Sequence, residues 1–277
     1  QDQISLMEGD TLTRSFFFVN ISKENFIDSL QVNSALLNTE SSNTSDQVFN
    51  IAPTNANDTT AFSLEYGTRN RVGLNNLSVR VSPQENELLS VNNYLSFPEI
   101  LEVTADETNP VLDVTFDGSH ILDGDIVSPN PDIFIRIKDE NPFLYKEDTS
   151  GINLSLKLPC EGCQFERIDF SDPGVTYIPA SEGQDFEIHY QPGQLEDGIH
   201  SFRVAAEDES GNSSGDNDYE ISFEVINEST ITHFYPYPNP FSTNTRFVFT
   251  LTGGTIPDQI KIQIMTISGR VVREITQ

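Results

Sequence analysis

The chain has no tryptophan, two methionines and two cysteines in 277 residues, and only 15 Lys+Arg stand against 43 Asp+Glu. That deficit of basic residues leaves a formal charge of −28. It excludes nucleic-acid binding by phosphate neutralisation, which needs clustered Lys and Arg. No apolar run approaches the ~20 residues of a membrane span. A second CxxC and an HxxxH are both missing, so a closed four-ligand zinc site has no ligand set. Nor is there a G-x-S-x-G or HExxH motif. The four histidines (His120, His189, His200 and His233) stand singly, with no spacing that sets two on one face. No window of about 12 residues carries a capped 3.6-residue period.

What is present is aromatic and strand-like. Nineteen Phe and eight Tyr are too many for a disordered acidic chain. The acidic residues come as pairs and triplets between apolar segments, the pattern of a solvated surface that also attracts divalent cations. Leu77, Val79 and Val81 alternate with polar neighbours, as do Ile133, Ile135 and Ile137, then Leu154, Leu156 and Leu158, then Ile260, Ile262 and Ile264. A period of two gives one buried and one wet face. Turn clusters such as Asp117-Gly118, Asp172-Pro173-Gly174 and Glu196-Asp197-Gly198 punctuate the runs. The expectation is an all-β chain of tandem Ig-like antiparallel β-sandwiches.

Polar stretches mark the boundaries. Thr104 to Pro110 and Asn227 to Thr230 separate apolar runs, which divides the chain into residues 1–104, 105–229 and 230–277. The last segment is too short to bury a full core unaided. Pro236, Pro238 and Pro240 exclude a central strand there and make the stretch a lead-in to a strand at Thr245–Thr250. The chain opens at Gln1-Asp2-Gln3-Ile4 without an initiator Met, a basic n-region or an apolar h-region. Val271 to Ile275 stops within a strand-like pattern. We expect a processed or excised piece of something larger.

Two features carry candidate chemistry. In Leu158-Pro159-Cys160-Glu161-Gly162-Cys163, Glu-Gly suits a two-residue turn that sets Cys160 opposite Cys163. A disulfide staple is the favoured reading in an oxidising compartment. Free thiols, a redox CxxC and half of a metal site are the alternatives, and no helix N-terminus is evident to lower a thiol pKa. The stretch from Glu207 to Asp218 packs hard oxygen donors around two glycines, and Asp208, Asn212, Asp216 and Asp218 are its candidate calcium ligands. Its glycine falls at the fourth position from Asp208, not the sixth as in an EF-hand, and an acidic hairpin loop is the plainer reading. A second calcium candidate combines Asp106 and Glu107 with Asp139 and Glu140, where a cation between domains would stiffen a rod.

Three segments resemble known proteins. Tyr237-Pro238-Asn239-Pro240-Phe241, Lys261-Ile262-Gln263-Ile264 and Ser268-Gly269-Arg270-Val271-Val272 resemble the C-terminal sorting-type domain of type IX secretion cargo, itself similar to the flagellar-hook-cap Ig-like module. Its closing strands are not matched. Residues Asn109 to Ser128, and Ser214 to Tyr219 running into Phe223 to Asn227, resemble the Ig-like region behind the catalytic domain of gingipain-type cysteine peptidases of the Bacteroidota. Glu8 to Leu12, Phe18 to Ser22, Phe26 to Leu30 and Asn92 to Leu95 look like the adhesion-related Ig-like module of bacterial surface proteins.

The resemblance implies the tail of a secreted or outer-surface bacterial protein, without its enzyme domain. The tail would space and stabilise an upstream catalytic domain of the same chain. The type IX secretion machinery would read it through Pro238, Asn239, Pro240 and Phe241, with Gly269 turning the last strand pair. No catalytic residue is expected in this chain. The rivals are an adhesion or carbohydrate-binding module, and an enzyme fragment with its own hydrolase site.

Overall fold

The computed structural model describes residues 2–82, 91–255 and 257–276. The chain is all-β, built as two-layer sandwiches, and no α-helix occurs among the described residues. No helix there is long and apolar enough to cross a membrane. It divides into two compact units.

The first unit holds Gln1–Asn109 with the segments Asp139–Lys146 and Asp208–Asn212. Its strands are β1 (Ile4–Met7), β2 (Thr11–Val19), β3 (Leu30–Asn38), β4 (Thr44–Ile51), β5 (Thr59–Gly67), β6 (Gly73–Ser82) and β7 (Tyr94–Thr104). One sheet runs β1-β7-β6-β3-β4, antiparallel except for the parallel β1–β7 edge, and β2 pairs with β5 in a second layer. Alternation decides which side chains meet between them. Leu30, Val32 and Leu36 of β3, Leu77, Val79 and Val81 of β6, and Leu101 and Val103 of β7 share a core with Leu12 and Phe18 of β2 and with Phe62, Leu64 and Tyr66 of β5. Phe16 stacks on Phe62 at 5.6 Å, while Phe17, pointing the other way, is 69% exposed.

The second unit holds β8 (Val111–Phe116), β9 (Asp125–Val127), β10 (Ile133–Lys138), β11 (Asn153–Lys157), β12 (Glu166–Ile168), β13 (Val175–Ile178), β14 (Phe186–Tyr190), β15 (Gly198–Ala205) and β16 (Tyr219–Val225). The sheet β13-β14-β10-β8 faces the sheet β12-β11-β15-β16-β9. Ile133, Ile135, Ile137, Phe186 and Ile188 from the first meet Leu154, Leu156, Phe202, Val204, Phe223 and Val225 from the second. Phe116 lies edge-on to Phe202 at 6.1 Å. Burying each such side chain contributes about 1.5–3 kcal/mol.

Four more strands group with the second unit: β17 (Ile231–Tyr237), β18 (Arg246–Leu251), β19 (Lys261–Met265) and β20 (Val271–Thr276). They form two separate hairpins, β17–β18 and β19–β20. The first part of the proline-rich lead-in, through Tyr237, is thus itself a strand. Pro236 sits in β17 opposite Phe247, and among the described residues β17 pairs with β18 alone, an edge position of the kind that tolerates proline. Ile262 is half-buried and Ile264, Met265 and Val272 are exposed, so these hairpins do not share the dense packing of the sandwiches.

Candidate metal centre

Asp106, Asp139 and Asp208 come together in the first unit, and one ligand atom from each lies within 4.8 Å of the others. Asp106 follows the end of β7, Asp139 follows β10 directly, and Asp208 follows β15. Each is the first residue of an Asp-Glu pair leaving a strand, and these are the only three Asp-Glu pairs in the chain. The Asp turns inward at each place. Glu107 and Glu140 are exposed, and Glu209 pairs with Arg69.

Local hydrogen bonds hold the three carboxylates. The Thr108 N–H donates to Asp106 Oδ1 at 3.1 Å, and the Asn141 N–H donates to Asp139 Oδ1 at 3.1 Å. Asn212 donates to Asp208 twice, from its N–H to Oδ1 and from its side-chain amide to Oδ2, at 2.8 Å each. The same amide donates to the Asp106 carbonyl at 3.0 Å, bridging two of the loops. The Asn141 side chain donates to the Glu8 carbonyl at 3.3 Å. Gly9, at φ +93°, gives Leu144 room, since a Cβ there would lie 2.7 Å from Leu144 Cγ.

The group is buried and electrostatically costly. Asp208 is 2% exposed and Asp106 9%, and Asp106 Oδ2 is buried with no hydrogen-bond partner. Burial, with Asp106, Asp208 and Glu140 adding repulsion, pushes the Asp139 carboxyl up to about 6 against the opposing Asn141 hydrogen bond. Two ionised carboxylates at this separation repel by roughly 3 kcal/mol at an effective dielectric of about 20. A net hydrogen bond to a charged group contributes about 1.5–3 kcal/mol. The bonds described above position the three groups and offset part of that repulsion, yet the Asp139 carboxyl stays raised. The buried Lys146 ammonium donates to the Asp208 carbonyl at 3.3 Å.

The structure thus redistributes the two sequence-level calcium candidates. Asp208 joins Asp106 and Asp139, and Asn212 donates to the Asp208 carboxylate. Asp216 and Asp218 are exposed and belong to the second unit. The reason lies in the β15–β16 loop. The Glu207–Ser213 bridge and the Asp208 N–H to Asn212 carbonyl bond close a tight turn, which leaves Asp216 and Asp218 on the return path. The signal available in sequence was the recurrence of Asp-Glu just after a strand.

The other candidate residues lie elsewhere. Cys160 and Cys163 are bonded to each other in the β11–β12 connection, Cα atoms 5.3 Å apart, with the Cys163 N–H donating to the Cys160 carbonyl at 3.2 Å. Pro238, Asn239, Pro240 and Phe241 form the loop between β17 and β18, where Thr245 Oγ1 donates to the Pro238 carbonyl at 2.9 Å and Phe241 is 55% exposed. Gly269, at φ +83°, lies in the β19–β20 turn and donates to the Thr266 carbonyl at 2.9 Å. His120 lies 2.6 Å from Asp113 and His189 3.4 Å from Asp132, both partly open to solvent, whereas His200 is wholly buried.

No protein-family model matches the chain, and no curated protein matches it. Among solved structures, the crystal structure of dimeric latent PorU from Porphyromonas gingivalis is similar over 99% of this chain, at 14% identity and a TM-score of 0.33. The alignment covers 27% of that protein, so this chain spans about a quarter of its length. A likeness of that degree carries no argument about function.

Proposed function

We propose that the chain is a non-catalytic run of extracellular β-sandwich modules. They space and stabilise a peptidase-type domain of the same protein, and the last strands begin a type IX sorting segment. The observation that supports this reading best is the Cys160–Cys163 bond, which joins both thiols of the chain in one hairpin connection. A disulfide suits an oxidising compartment outside the cytoplasm, and a bonded thiol is no nucleophile. The all-β architecture, with two cores built from separate pairs of sheets, fits a string of self-supporting spacers.

Two experiments test the reading. The purified chain, assayed against a panel of fluorogenic peptides with and without reductant, should give no turnover. Turnover that co-purifies with the chain would overturn the non-catalytic assignment. In the parent protein, replacing Pro238, Asn239, Pro240 and Phe241 by alanine should abolish surface delivery, and unchanged delivery would overturn the sorting role.

One observation favours a second reading, a carbohydrate-binding module. The outer side of the first unit has a shallow concavity lined by Asn33, Asp46, Arg80 and Tyr94. The Arg80 guanidinium lies 5.3 Å from the centre of the Tyr94 ring, which is 46% exposed. Exposed rings beside polar groups suit sugar stacking, and specific glycan-array binding lost in Tyr94→Ala would establish it.

A further inference from the structure

We infer that Asp106, Asp139 and Asp208 form a calcium site, which pins the Asp139–Lys146 and Asp208–Asn212 loops to the rest of the first unit. Two independent observations meet here. Three carboxylates from sequence-remote loops converge with ligand atoms within 4.8 Å of one another. Within that group, Asp106 is nine-tenths buried and its Oδ2 has no hydrogen-bond partner. A buried, unpartnered carboxylate oxygen is rare in a folded protein because its desolvation goes uncompensated. A cation among the three oxygens supplies the missing partner and removes the mutual repulsion.

The donor set selects the ion. All the available donors are hard oxygens, with neither imidazole nor thiolate in the group, which points away from zinc and copper. Calcium accepts irregular oxygen cages from loops and completes its shell with water, whereas magnesium demands near-ideal octahedral geometry. Charge agrees: three clustered carboxylates, with Glu140 adding to the negative potential at Asp139, favour a divalent cation. Thr108 and Asn141 each donate to Oδ1 of one carboxylate and Asn212 donates to both oxygens of Asp208, as expected of groups that orient ligands.

The test uses the whole chain, stripped with chelator and titrated with CaCl2 or MgCl2 at constant ionic strength. Melting is followed by circular dichroism and binding by calorimetry. The expected result is one calcium per chain and a melting temperature raised by several degrees, with a smaller rise in magnesium. Asp106→Asn/Asp139→Asn keeps an oxygen to accept the Thr108 and Asn141 N–H groups, so the fold is retained while the charge is lost. This variant should lose the calcium-dependent rise, and in chelator it should melt at or above the wild type because the repulsion is gone. Asp216→Asn/Asp218→Asn should keep the full rise. No calcium-dependent rise in the wild type, an equal rise in magnesium, an undiminished rise in the first variant, or loss of it in the second would each overturn the site. The spacer reading is tested by turnover and surface delivery, so the two stand or fall separately.

Discussion

Asn212 grips the Asp208 carboxylate from two directions, its backbone N–H on Oδ1 and its side-chain amide on Oδ2, both at 2.8 Å. The remaining amide hydrogen reaches the Asp106 carbonyl at 3.0 Å. Asn212→Ala removes both side-chain bonds and leaves part of a buried carboxylate unpaired. We expect a loss of about 1–3 kcal/mol, measured by urea unfolding in chelator. A change within experimental error would show that the bridge does not order the loops.

His200 gives the second unit an acid-sensitive point. The ring is fully buried, stacked on Phe223 at 5.4 Å, with Nδ1 3.2 Å from the Gly198 carbonyl and Nε2 without a partner. Burial holds its pKa below the ordinary 6.5. In the unfolded chain the imidazole protonates near 6.5, and in the fold it does so only at lower pH. Its contribution is therefore complete above 6.5 and is lost as pH falls below that value. His200→Phe should show a smaller fall in melting temperature between about pH 7 and pH 5 than the wild type. Parallel curves would refute the assignment.

The alternation of Ile133, Ile135 and Ile137 and that of Ile260, Ile262 and Ile264 are indistinguishable in sequence, yet their fates differ. Ile135 is 0% exposed and Ile264 38%. Ile135→Ala should cost about 2–5 kcal/mol. Ile264→Ala should cost no more than about 0.5 kcal/mol, as at a surface position. Equal costs by urea unfolding would contradict the packing described for β10 and β19.

That pair also shows how far the sequence could be read. Alternation reveals which side chains share a face, so the all-β fold and most core positions, Leu77, Val79 and Leu154 among them, were legible. It does not reveal whether another layer covers the face, and Leu158, third in its series, is 41% exposed beyond the end of β11. The carboxylate centre was half legible. Asp106, Asp139 and Asp208 each stood out as acidic loop residues, but only the fold brings three loops together. Linear proximity favoured Asp216 and Asp218, which a single tight turn leaves outside.

The Cys160–Cys163 bond closes a loop of sequence separation 3. So short a loop removes little unfolded-state entropy, and Cys160→Ser/Cys163→Ser should cost about 2 kcal/mol or less. Without reductant, neither thiol of the native chain should alkylate. Two alkylated cysteines by intact mass would refute the bond and remove the main support for an extracellular setting.

The convergence of three strand-end aspartates on one cation is tested most directly by native mass spectrometry of the intact chain after exchange into calcium. One bound calcium per wild-type chain, and none in Asp106→Asn/Asp139→Asn, is the predicted result. A calcium-free wild-type spectrum, or the same occupancy in both proteins, would contradict it.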